Sequence, residues 1–94
     1  MIKHSKIDQQ IKVAYLKLKE ISPNLKEKYS NNIKIKGKKT KFDSVDIVTF
    51  FSFLESQLKA SKIKYPQFLD KNFFFKFDEI KIKDLIILIY KKNA

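Results

Sequence analysis

The chain has no cysteine, no arginine and no tryptophan, a single glycine and two prolines. Without cysteine there is no disulfide, no thiolate nucleophile and no thiolate metal site. The one histidine, His4, cannot build a zinc centre without carboxylate help, so no metal site is expected. Without arginine, bidentate reading of guanine or phosphate by a guanidinium is excluded. No apolar run approaches the ~20 residues that span a bilayer, and residues 1–14 are interrupted by charge too often for a signal-peptide core. The expectation is a cytoplasmic protein with no membrane span. Acids are also scarce: 10 Asp and Glu stand against 21 basic residues, every one a lysine, for a net charge of +11. What is present is enough to fold. A 44% hydrophobic share with nine phenylalanines lies outside the composition of disordered chains, and 94 residues make one domain, 1–94.

The apolar periodicity predicts an all-α fold, an up-and-down bundle of three longer helices and one short one with a long loop between the first two. Ile7, Ile11, Ala14, Tyr15, Leu18 and Ile21 recur at steps of three and four, giving a helix over 5–21, with Ser5 and Asp8 as a capping pair. Residues 22–41 hold the only glycine, one proline and several Asn and Lys, and read as a loop with one helical turn near Leu25 to Tyr29. Within it Ile33-Lys34-Ile35-Lys36 alternates with period two before Gly37-Lys38, so a short strand or hairpin is the competing expectation. Ile47, Phe50, Phe51, Leu54 and Leu58 form the next stripe, for a helix over 43–59. A Phe-rich segment after Tyr65-Pro66 predicts a short helix over 68–75, and Ile82, Leu85, Ile86 and Ile89 predict one over 81–92, with Asp84 and Lys91-Lys92 suited to its dipole. Ile11, Tyr15, Leu18, Phe51, Leu54, Leu58, Leu85, Ile86 and Ile89 are expected to share one core. No internal repeat is visible.

Chemistry concentrates at Asp43-Ser44-Val45-Asp46. At a helix start, Asp43 as N-cap and Asp46 three residues on can accept from free backbone N–H groups at the positive end of the dipole. That accounts for both acids and leaves Ser44 unassigned. A serine in the first helical position presents its hydroxyl beside unpaired N–H groups, a setting that favours an anionic phosphodiester. The segment also stands apart in charge. No lysine occurs from Phe42 to Leu58, so Asp43, Asp46 and Glu55 make that window negative inside a strongly basic chain. Val45, Thr49, Ser52 and Ser56 fall on one helical face beside Ser44, away from the Phe-rich stripe.

On these residues, Phe42-Asp43-Ser44-Val45-Asp46 through Leu54-Glu55, the chain resembles the acyl carrier proteins, whose signature is Asp-Ser-Leu at a helix start with a Leu-Glu pair further along. The order of elements from Ile7 to Tyr90 is similar too. The resemblance implies a carrier that is not an enzyme. Ser44 would be the attachment point for 4′-phosphopantetheine, placed there by a separate phosphopantetheinyl transferase, and the arm's thiol would hold an acyl or aminoacyl group as a thioester. Asp43 would help engage the transferase and its metal. Val45, Asp46, Thr49, Ser52, Glu55 and Ser56 would meet the loading and acceptor enzymes, with the carrier a monomer. The resemblance departs from fatty-acid carriers in charge: Thr49 and Ser56 stand where acids are common, and Lys41 replaces the usual glycine before the motif. A specialised pathway is therefore expected.

The rival reading is a small nucleic-acid-binding protein, because Lys34, Lys36, Lys38, Lys39 and Lys41 crowd one loop near Tyr29 and Phe42. Absent arginine and the spread of lysine along the whole chain argue against specific nucleic-acid recognition. Phe73-Phe74-Phe75 cannot all face one core from a regular helix. They form either a patch for a membrane or partner or, in a carrier, an interior wall where an acyl chain folds back. His4 is expected to be inert in a loosely held terminus.

Overall fold

The computed structural model describes residues 2–94. Its elements are α1 (His4–Ile21), β1 (Lys34–Lys36), α2 (Ser44–Ala60), α3 (Lys71–Phe75), β2 (Ile80–Lys81) and α4 (Ile82–Lys92). The fold is mostly helical. Helix α1 is the hub, packed most extensively on α2 and also on α4. Of its expected stripe Ile7, Ile11, Ala14, Tyr15 and Leu18 are buried and Ile21, at the last turn, is exposed. Phe50, Phe51, Leu54 and Leu58 of α2 are buried with Ile47 half-buried, and Ile82, Leu85, Ile86 and Ile89 of α4 are all buried. All nine residues expected in the core lie there. The joining segments complete it with Leu25, Ile33, Ile35, Phe42, Ile63, Phe68 and Ile80.

Two local expectations are corrected. Helix α1 begins at His4, and its N-cap Lys3 forms no side-chain cap. With Lys3 at the N-cap, Ser5 lies inside the first turn and cannot cap with Asp8, whose carboxylate instead accepts the Tyr29 hydroxyl at 2.6 Å, tying the following loop back onto the helix. Burial, and then that bond to Asp8, hold the Tyr29 phenol well above its ordinary range. The Tyr15 hydroxyl makes a similar tie to the Glu27 carbonyl at 2.8 Å. His4 lies in the first turn of α1 with its ring edge-on to Tyr90 at 4.2 Å.

The 22–41 segment is the larger correction. No helical turn forms at Leu25 to Tyr29, and the alternating stretch is a strand instead, so the fold is not purely α. Its partner is not a neighbouring hairpin arm. β1 pairs antiparallel with β2, placing Lys34 opposite Lys81 and Lys36 opposite Ile80 with an irregular register between. Beyond the ladder, the Ile82 and Lys83 N–H groups donate to the carbonyls of Ile33 (3.0 Å) and Asn31 (2.9 Å). The first turn of α4 thus finds acceptors for donors that no helix satisfies internally. Glu79 sits between Lys34 (3.4 Å) and Lys81 (3.5 Å), relieving the like charges that the register brings together. Lys34 and then Lys81 hold its carboxyl below the usual range. This exposed contribution is therefore present above the ordinary carboxylate pKa and lost as pH falls through the lowered one.

The end of α2 shows how little the chain relies on glycine. The Ile63 N–H reaches back to the Leu58 carbonyl (2.9 Å) and the Lys62 N–H to that of Lys59 (3.1 Å), a Schellman-type stop with Lys62 at φ 58° in the left-handed position glycine usually takes. Ile63, next in sequence, is buried and seals the motif. The sole glycine is reserved for φ 128° at Gly37, just after β1, a conformation open essentially to glycine alone. Gly37→Ala should therefore lower stability by about 1–3 kcal/mol in urea denaturation, the usual cost of forcing a side chain into such a backbone.

Candidate functional site

The start of α2 is fixed from both sides. Upstream, the Thr40 hydroxyl bridges to the carbonyls of Lys34 (2.8 Å) and Ile35 (3.1 Å) and accepts the Phe42 N–H at 3.2 Å. Phe42 is buried, edge-on to Phe50 with ring centres 5.7 Å apart and beside Tyr15 at 6.4 Å. Thr40 and Phe42 together set the angle at which the chain enters the helix. At the cap, Asp43 Oδ1 accepts the Asp46 N–H at 2.8 Å and Asp46 Oδ2 accepts the Asp43 N–H at 3.1 Å, a reciprocal box made of two aspartates.

This box separates the roles of the motif residues. Asp46, expected on the partner face, is only 5% exposed and is committed to the cap. Asp43 remains exposed, and Ser44 is exposed as the first residue of α2. The Ser44 hydroxyl takes no hydrogen-bond partner among the described residues. Of the other residues expected on this face, Val45, Ser52 and Ser56 are exposed, Thr49 is half-buried, and Glu55 is half-buried toward the α2–α3 link. Burial raises the Glu55 carboxyl, and a backbone bond from Phe68 opposes that rise. Val48, which the sequence reading passed over, is 53% exposed beside Val45 at 70%. Ser44 therefore stands next to a small apolar surface on α2.

Beside that surface a cleft of about 200 Å³ opens between α2 and α3. Ser44, Ile47, Val48 and Phe51 form one wall, Phe68 and Leu69 the end, and Lys71, Phe74 and Phe75 the other wall. Its lining is almost wholly apolar. The short helix comes later than expected, at Lys71 rather than residue 68, because the Asp70 side chain caps it by accepting the Asn72 N–H at 2.7 Å. Phe68, placed by the sequence reading inside that helix, instead fills the core ahead of it, stacked on Phe51 with ring centres 5.0 Å apart. The Phe triplet divides as its spacing requires: Phe73 and Phe74 are half-buried and Phe75 is 71% exposed. The signal for this cleft in the sequence was the Phe cluster itself, but the partner it would face was not legible.

The lysine-rich loop is partly consumed by the fold. Lys34 is paired with Glu79, and Lys36 is directed to the end of α3, where Nζ donates to the carbonyls of Phe74 (2.9 Å) and Phe77 (2.6 Å). A second hollow of about 530 Å³ is walled by Tyr15, Leu25, Ile33 and Phe42, with Lys26, Lys34, Lys39 and Lys41 also lining it. Among the described residues no group of three or more His, Cys, Asp or Glu converges on one point, and no helix is long and apolar enough to cross a membrane.

Asp43→Ala should cost about 1 kcal/mol in urea denaturation, as the loss of a helix cap does. Ser44→Ala should change stability by less than about 0.5 kcal/mol, since an exposed hydroxyl without a partner is removed. No protein-family model, curated protein or solved structure matches the chain at a significant level.

Proposed function

We propose that this chain is a carrier protein of the acyl-carrier type, its helices forming a carrier-like bundle, with 4′-phosphopantetheine attached through a phosphodiester to Ser44. The observation that carries this reading is the exposed Ser44 hydroxyl at the first position of α2, opening onto the apolar α2–α3 cleft. Each part of the arrangement has a use in such a carrier. The helix start favours the phosphodiester. Asp43 is exposed for contact with the transferase, whereas Asp46 holds the cap. The cleft offers a dry shelter to an apolar group on the arm, and the arm supplies the thiol that the chain lacks. The carrier performs no reaction itself and delivers its acyl or aminoacyl cargo to enzymes of a specialised pathway.

The direct test is incubation with coenzyme A, magnesium and a promiscuous phosphopantetheinyl transferase, read by intact mass. The wild-type chain should gain one arm and Ser44→Ala none. An unmodified wild type, or an arm retained by the variant, refutes the proposal.

The same reading makes a claim about partners. Lys41 precedes the motif and Lys59 closes the last turn of a helix that carries only Asp46 and Glu55 as acids. Enzymes serving acidic carriers present basic surfaces, which these two lysines would repel. The cognate enzymes should carry acids opposite them. The double substitution Lys41→Glu and Lys59→Glu should slow loading by the cognate enzyme and speed loading by one that serves acidic carriers. Both effects should fade in salt, which screens exposed charges beyond about 10 Å at 0.1 M. Loading rates left unchanged by the substitution with both enzymes at low salt would mean that the basic charge does not choose partners.

A further inference from the structure

The cleft beside Ser44 has one wall that is seated on the core only through half-buried side chains. Helix α3 is five residues long, too short to be stable by itself, and it rests on the core through the half-buried Phe73 and Phe74 with no residue fully buried. It is fastened at its start by the Asp70 cap and by Phe73 packed edge-on to Phe68 at 5.5 Å. Its end is fastened by the Phe74 ring, edge-on to Phe51 with centres 6.5 Å apart, and by one charged side chain from elsewhere in the fold. Lys36, delivered by β1, places its ammonium against the Phe74 and Phe77 carbonyls and 4.6 Å and 5.3 Å from the ring centres of Phe74 and Phe75. The Phe74 carbonyl at the negative end of a short helix, the Phe77 carbonyl just beyond it and two aromatic faces thus surround one cation with no carboxylate among them. Phe74 and Phe75 are also the aromatic wall of the cleft.

We propose that Lys36 is the latch of this cleft: its ammonium fixes the Phe74–Phe75 wall and so sets the size of the apolar group the cleft admits. Released, α3 would swing about its anchored start at Phe68 and Asp70 and widen the cleft, while the core, to which α3 contributes no fully buried residue, stays intact. Lys36 is a positioning residue that acts through Phe74 and Phe75. The latch follows from the contacts alone. Only the nature of the occupant, an acyl group carried on Ser44, rests on the carrier reading.

The test compares wild type, Lys36→Met and Lys36→Arg by amide hydrogen exchange and by titration with Nile red, a neutral apolar probe. Methionine keeps much of the length and removes the charge and the donor. In Lys36→Met the Phe74 and Lys76 amides should exchange roughly ten- to a hundredfold faster, the range matching loss of a hydrogen bond to a charged group. The Leu54 and Ile89 amides should keep their rates, and Nile red should bind severalfold more tightly. Lys36→Arg, which keeps the cation, should recover a substantial part of both effects. Unchanged α3 exchange overturns the latch, as does acceleration spread evenly through all helices or failure of Lys36→Met to fold, since either makes Lys36 a general support. Faster α3 exchange with unchanged Nile red binding overturns its control of the cleft. Failure of Ser44 to accept an arm would remove the proposed occupant and leave these outcomes as they are.

Discussion

The antiparallel pairing of Lys34–Lys36 with Ile80–Lys81 brings together the two segments that the helices alone leave undirected. On one side it ends the long loop after α1, and through the Asn31 and Ile33 carbonyls it supplies acceptors to the first N–H groups of α4. On the other it buries Ile35 and Ile80 in the core and turns Lys34 and Lys36 outward from it in opposite service, one to Glu79 and one to α3. Thr40 then hangs the entry to α2 on the same strand by bonding the Lys34 and Ile35 carbonyls. The cap of α2, the start of α4 and the end of α3 are three sites far apart in sequence, and all three take their position from one short ribbon.

The chain's lopsided charge is arranged accordingly. A ribbon rich in lysine on both strands would repel itself, and Glu79 answers this by lying between Lys34 and Lys81. Lys36 is answered by carbonyl dipoles and aromatic faces, which hold a cation without neutralising it. On α2 the opposite solution holds: lysine is excluded until Lys59, and the surface near Ser44 is made of small and apolar residues. Lysines of the ribbon are thus used for structure, while α2 itself is kept free of lysine as far as Leu58.

At the motif itself the division of labour is economical. Two carboxylates satisfy each other's backbone donors, and in doing so they hold the exposed serine between them at a fixed place on the helix end. The cleft runs along α2 with that serine among its lining residues. The rigid wall comes from α2, with Phe51 and Phe68 locked in the core. The other wall comes from α3, which meets the core through half-buried rather than fully buried side chains.

The helices α1, α2 and α4, their core stripes and the Asp43–Asp46 cap were legible in the sequence, because periodicity and capping depend on residues a few positions apart. The motif at Ser44 could be singled out for the same reason. The sequence also carried the alternation of a strand at Ile33 to Lys36, but a strand has no meaning without its partner, and Ile80–Lys81 is too short to announce itself. That choice, and with it the place of Phe68 in the core and of Asp46 beneath the surface, was made by tertiary structure. So was the fate of Lys36. In the sequence it is one of five lysines in a basic loop, and only the β1–β2 pairing carries it to the end of α3, because non-local backbone hydrogen bonds rather than local propensity decide which distant segments meet.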